Sequence, residues 1–120
     1  MRRYLLAAIG ALLLLATAGN ALAQRYGSGD GQNRWVSVTN DSSFTMVAIY
    51  AVPSRLRQSF VGGPDLIPND TIRPGSYLRV NFDLGDRECW LDLRARGSDG
   101  RDWIERNFNV CAEGTWRLVN

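Results

Sequence analysis

The chain has 120 residues, 45% of them hydrophobic and 22% charged, which suits one globular domain. All fourteen basic residues are arginine, and there is no histidine. The missing imidazole removes the usual neutral-pH general base and the commonest metal ligand, and the missing lysine removes Schiff-base chemistry and the lysine of a phosphate loop.

Residues 1–23 read as a secretory signal peptide. Arg2 and Arg3 form the positive start, Tyr4 to Gly19 is apolar apart from Thr17, and Ala21-Leu22-Ala23 supplies small residues for cleavage before Gln24. The apolar run is shorter than the roughly 20 residues a membrane span needs, and no basic stop signal follows, so membrane contact is expected only during export. The arginine pair also resembles a twin-arginine signal, although the very apolar core favours general secretion. Without the leader, residues 24–120 carry twelve arginines and twelve acids. A nucleic-acid-binding domain keeps a basic excess, so no nucleic-acid partner is expected.

Residues 24–33, with Gly27, Gly29 and Gly31, read as a flexible lead-in to a domain over 34–120. From Arg34 the hydrophobic pattern has period two. Arg34 to Asn40 predicts a strand with Val36 and Val38 on one face, followed by Asn40-Asp41-Ser42-Ser43 as a turn. Phe44 to Val52 is apolar on both faces, which predicts a central strand ended by Pro53. Residues 53–64 form a loop carrying Arg55, Arg57 and Phe60; Asp65-Leu66-Ile67 reads as a short edge strand, and Pro74-Gly75 as a tight turn. Tyr77 to Leu84 alternates with Leu78, Val80, Phe82 and Leu84 inward. Cys89 to Arg96 alternates with Cys89, Leu91, Leu93 and Ala95 inward. The pair Asp99-Gly100 signals a hairpin into Asp102 to Val110, with Ile104, Phe108 and Val110 inward. Thr115 to Val119 closes the domain with Trp116 and Leu118 on one side. The fold class is therefore all-β: a small antiparallel β-sandwich or open barrel of about six to seven strands with one disulfide.

In an exported protein, Cys89 and Cys111 are expected to form that disulfide, worth roughly 3 kcal/mol by loop-closure entropy. A two-residue Asp99-Gly100 turn would set Leu91 against Phe108, Arg94 against Glu105, Ala95 against Ile104, Arg96 against Trp103, and Cys89 against Val110. Cys111 then lies one residue past the matching position, so the bridge requires a bulge or a relaxed hairpin end.

The pattern Cys89-x-x-Asp92-Leu93-Arg94-Ala95 running into Asp99-Gly100 and then Asn109-x-Cys111 is the most distinctive in the chain. With Val38-x-Asn40, Ile49-Tyr50-x-x-Pro53-Ser54, Asp65-Leu66 and Pro74-Gly75, it resembles a group of small exported bacterial β-domain proteins of unknown function, over most of 34–112. Where that group often has Trp-Gly before Asp-Leu, this chain has Phe60-Val61-Gly62-Gly63. The resemblance implies a one-domain periplasmic β-fold and supplies no catalytic residues.

An outward face on the 77–84, 89–96 and 102–110 strands would carry Tyr77, Arg79, Trp90, Asp92, Arg94, Arg96, Trp103 and Glu105. Tryptophans stack on sugar rings, and arginine with carboxylate orients hydroxyl groups; the competing reading is a set of cross-strand pairs on a wet sheet face. Asp83, Asp86 and Glu88 cluster in one loop, which raises calcium, but three acids with Arg87 among them make no calcium-loop motif. No catalytic set, metal or cofactor is expected. The function expected is a periplasmic, non-catalytic module for a protein or envelope component, with a small carbohydrate-binding or carbohydrate-active protein as the alternative.

Overall fold

The alternation of apolar residues carries directly into six strands. The computed structural model describes residues 28–57, 59, 60 and 63–120; the expected leader, residues 1–23, and the first part of the lead-in lie outside them. The strands are β1 (Trp35–Asp41), β2 (Met46–Pro53), β3 (Tyr77–Asn81), β4 (Trp90–Gly97), β5 (Asp102–Asn109) and β6 (Thr115–Val119), with a 3₁₀ turn at Ser54–Leu56. They form two three-stranded sheets, β3-β1-β6 and β2-β4-β5, in a sandwich-like arrangement rather than a closed barrel. Val36, Val38, Val80, Phe82, Trp116 and Leu118 of one sheet and Met46, Ile49, Ala51, Leu91, Leu93 and Ala95 of the other form one buried core.

Several expectations change in detail. β6 runs parallel to β1, whereas every other strand pairing is antiparallel. β2 lies at a sheet edge with β4 central. Its outer edge is covered by 65–72, which is not a strand: Leu66 N–H donates to Ile49 O (2.8 Å), Ile49 N–H donates to Asp65 Oδ1 (3.0 Å), and Met46 makes an isolated bridge to Ile72. That covering satisfies part of the backbone edge that an outermost strand leaves unpaired.

Asn40 joins the sheets. Fully buried, its Nδ2 donates to Phe44 O (2.7 Å) and Ile72 O (2.8 Å), while its Oδ1 accepts from Ser42 N–H (3.0 Å) and Ser42 Oγ (2.6 Å). Arg34 continues the same inward row as Val36, Val38 and Asn40. Its guanidinium is buried, forking onto both Asp30 oxygens (2.9 and 2.7 Å) and donating to Glu88 O (2.8 Å). Asp30 and Ser28 belong to the segment read as a lead-in. Ser28 N–H and Oγ both donate to Asp83 (2.8 Å each), so the described half of that segment makes defined contacts with the domain.

The β4–β5 hairpin departs from the expected register in an informative way. The turn is a three-residue loop, Ser98-Asp99-Gly100, with Gly100 at φ 88° and Gly97 N–H bonded to Arg101 O (2.7 Å). Arg94 therefore pairs with Ile104, Ala95 with Trp103, and Arg96 with Asp102, one residue away from the two-residue-turn expectation. A bulge then resets the count: Leu91 pairs with Phe108 and Leu93 with Glu105, so Arg106 and Asn107 together oppose Asp92. Beyond it the expected pairing returns, and Val110 N–H donates to Cys89 O (2.8 Å). Because of the shift, Ile104 points outward and is exposed, while Trp103 turns inward and packs against the core. Its Nε1 donates to Val119 O (2.7 Å), tying β5 to β6 across the sandwich. Gly97 makes room, since a Cβ there would lie 3.0 Å from the Trp103 ring.

The Cys89–Cys111 disulfide forms. Asn109 builds the turn that makes it possible: its Oδ1 accepts Cys111 N–H (3.0 Å) and its carbonyl accepts Glu113 N–H (2.9 Å), carrying Cys111 off the strand and back towards Cys89. The bond is compatible with an oxidising, extracytoplasmic setting. No helix among the described residues is long and apolar enough to cross a membrane.

Candidate functional site

The bulge creates a concavity where β2 leaves its sheet. Pro53 ends β2 opposite Leu91, the chain coils through the 3₁₀ turn, and Arg57 reverses it at φ 48°. Across from this turn stand Trp90 at the start of β4 and the bulge residues of β5. Together Ser54, Arg55, Arg57, Trp90, Asp92, Arg106 and Asn107 line an open cleft of ≈ 790 Å³. This falls in the roughly 300–1,000 Å³ range of small-ligand sites. Asn107 has φ 55°, so two of the three described non-glycine residues with positive φ line this cleft. Such backbone is costly and gathers where surrounding structure imposes it, often at functional sites.

Asp92 holds the cleft together. Its side chain is buried, and it accepts Ser54 Oγ (2.7 Å), Arg106 NH1 (2.8 Å) and the bulge N–H of Asn107 (3.0 Å). Burial alone would push its carboxyl up, but those three donors outweigh it and hold the group below its ordinary value. It is thus a fixed carboxylate at neutral pH, fastening the 3₁₀ turn to the bulge.

The guanidiniums are held less tightly. Arg55 pairs with Glu88, which raises its own affinity for the proton. Arg106 gives NH1 to Asp92 while its side chain stays 57% exposed. Arg57 makes no ion pair among the described residues. Beside the cleft, Phe60 folds back over the outer face of β4 and is buried between Arg94 (5.4 Å from ring centroid to guanidinium) and Arg106 (5.6 Å); Arg94 also lies over Tyr50 (4.6 Å).

The outward face read from the sequence is divided by the fold. Trp90, Asp92, Arg94 and Arg96 do share the outer face of β4, with Trp90 54% exposed. Tyr77 and Arg79 belong to β3 in the other sheet, where Arg79 lies 5.5 Å over Trp35. Trp103 packs inward, and Glu105 sits on the edge strand just before the bulge, paired with Leu93. Ser54, Arg106 and Asn107 were not legible as site residues. The one available signal was an asparagine inside a strand pattern, a residue type that tolerates the left-handed backbone a bulge can require.

The acids of the 83–88 loop are engaged within the protein. Asp83 accepts from Ser28 and from Gly85 N–H (2.9 Å), Asp86 accepts Glu88 N–H (3.1 Å), and Glu88 pairs with Arg55. Among the described residues, no three His, Cys, Asp or Glu side chains are grouped to hold a metal ion. Comparison with protein-family models, curated proteins and solved structures finds no match.

Proposed function

We propose that the protein is an exported periplasmic, non-catalytic binding module that takes an acidic group of an envelope or protein partner in the cleft between the 3₁₀ turn and the β4–β5 bulge. The observation that carries this reading is that three arginines, Arg55, Arg57 and Arg106, line one concavity together with the exposed Trp90. Arginine forks bind oxyanions in pairs of parallel hydrogen bonds, and Arg57 and Arg106 keep donors for such a group. The one carboxylate lining the cleft, Asp92, is ionised and committed to three donors, so it serves as an anchor and not as a proton carrier. Export is supported by the leader pattern, the resemblance and the disulfide.

Two measurements test this. Periplasmic fractionation with N-terminal sequencing should give a chain that starts at Gln24. The purified protein should be retained on immobilised anionic polymers at low salt and released at high salt, with retention much reduced by Arg57→Asn. Passage through every anionic matrix, unaltered by that substitution, would remove the cleft as the binding site.

A further inference from the structure

Deepening this reading, and resting on it, we infer that the cleft's ligand is an acidic glycan: a sugar ring that stacks on Trp90 and presents a carboxylate to Arg57 and Arg106. Three observations favour a glycan over an acidic peptide. First, among the described residues lining the cleft Trp90 is the only apolar side chain, and the others are hydroxyl, amide, carboxylate or guanidinium. Peptide hot spots sit in well-packed, desolvated pockets, and the described residues of this open cleft form no apolar pocket. A flat indole face surrounded by hydrogen-bonding groups matches a ring that is apolar on its faces and hydroxylated around its rim.

Second, the adjoining edge cannot accept an added peptide strand at this point. β5 is an edge strand, but the bulge at Arg106–Asn107 interrupts the regular alternation of its backbone groups. Addition of a strand needs a continuous row of free backbone groups.

Third, the charge of the cleft suits a carboxylate. Glu88 and Asp92 partly neutralise Arg55 and Arg106, the Asp86 charge also reaches Arg55, and Arg57 makes no ion pair among the described residues. A single unpaired guanidinium suits a carboxylate; a phosphate monoester carries about −1.5 to −2 at neutral pH and would be over-charged here.

The test uses isothermal titration of the full mature protein with four probes: a hexameric oligogalacturonate, the same oligomer with its carboxylates methyl-esterified, poly-glutamate of matched charge, and a phosphorylated oligomannose. Oligogalacturonate should bind, and esterification should weaken it about tenfold or more, the size expected for loss of one charge-assisted hydrogen-bond pair. Arg57→Asn and Trp90→Ala should each give a loss of similar size; both side chains are exposed, so circular dichroism should show the fold unchanged. Poly-glutamate binding as tightly as oligogalacturonate, with no effect of Trp90→Ala, would overturn the glycan while leaving the anionic cleft standing. Preference for the phosphorylated sugar would overturn the carboxylate. No binding of any probe by either the native protein or the variants would overturn the cleft itself.

Discussion

Removal of the Asp92 carboxylate is the sharpest perturbation the structure offers. In Asp92→Ala the Asn107 N–H and the Ser54 hydroxyl lose an ionised acceptor, at 3.0 and 2.7 Å respectively. A hydrogen bond to a charged group contributes about 1.5–3 kcal/mol. Ser54 is half-buried and can turn to water, and Arg106 is 57% exposed and rehydrates readily, so the loss falls mainly on the bulge N–H. The sum is about 3 kcal/mol, a large share of the roughly 5–15 kcal/mol that holds a domain together. With a urea slope near 1 kcal/mol/M for a domain of this size, the unfolding midpoint should fall by about 3 M. Asp92→Asn keeps one acceptor oxygen but sets an amide N–H₂ against Arg106, and should cost about a third as much. The pH dependence has a definite sign. The folded carboxyl lies below its ordinary value of 3.8, so its contribution is complete above that pH and is lost as pH falls through the folded value. The gap between native and Asp92→Asn proteins should therefore narrow below about pH 4. Urea titrations followed by tryptophan fluorescence at pH 7 and pH 3 measure both effects. A midpoint shift under about 0.5 M for Asp92→Ala at pH 7 would refute the anchoring role, because that is the range of ordinary surface substitutions.

Three other expectations follow from the fold. Asn40→Asp should destabilise the protein about as much as Asn40→Ala, by about 3 kcal/mol, because a carboxylate oxygen would face the Phe44 and Ile72 carbonyls that now receive Nδ2; thermal unfolding of the two variants is the comparison. Replacing both Cys89 and Cys111 by serine should lower stability by roughly 3 kcal/mol and the melting temperature by about 12–24 °C, read by calorimetry in oxidising buffer. Asp30 and Asp83 are also held below the ordinary carboxylate range, Asp30 chiefly by the Arg34 guanidinium and Asp83 against the opposing push of burial by Ser28 and Gly85 donors; native stability should fall as pH drops from 5 to 3, and fall less in Asp30→Asn.

The inward rows of the strands, the hairpin and the disulfide were legible because each is written in a local pattern: alternation through Val80 and Phe82, the Asp99-Gly100 turn, and two cysteines in a chain whose first residues read as an export leader. What escaped was set by single residues that change the count. The difference between a two- and a three-residue turn moves Trp103 from the solvent side to the core and Ile104 the other way. The bulge at Arg106–Asn107 then undoes that shift before the disulfide. Both changes are one residue long, and period-two reasoning has no memory of an inserted residue. Buried Arg34 was equally hidden: Asp30 lies only four residues before it, but the fold brings Asp83 and Glu88 to it from the loop between β3 and β4. The candidate cleft depends on the bulge, so only Arg55, Arg57, Trp90 and Asp92 could be singled out beforehand, and nothing in the sequence joined them.

The parallel alignment of β6 with β1 has a kinetic consequence. Ser37 meets Thr115, so nearly the whole described chain must be available before that seam can close, whereas the β4–β5 hairpin needs only its own twenty residues. Closing so wide a loop is entropically slow compared with zipping a local ribbon. The β4–β5 hairpin should assemble early and the β1–β6 seam late. Until then the bare flank of β1 is the place where a newly made molecule is most exposed to joining the wrong neighbour.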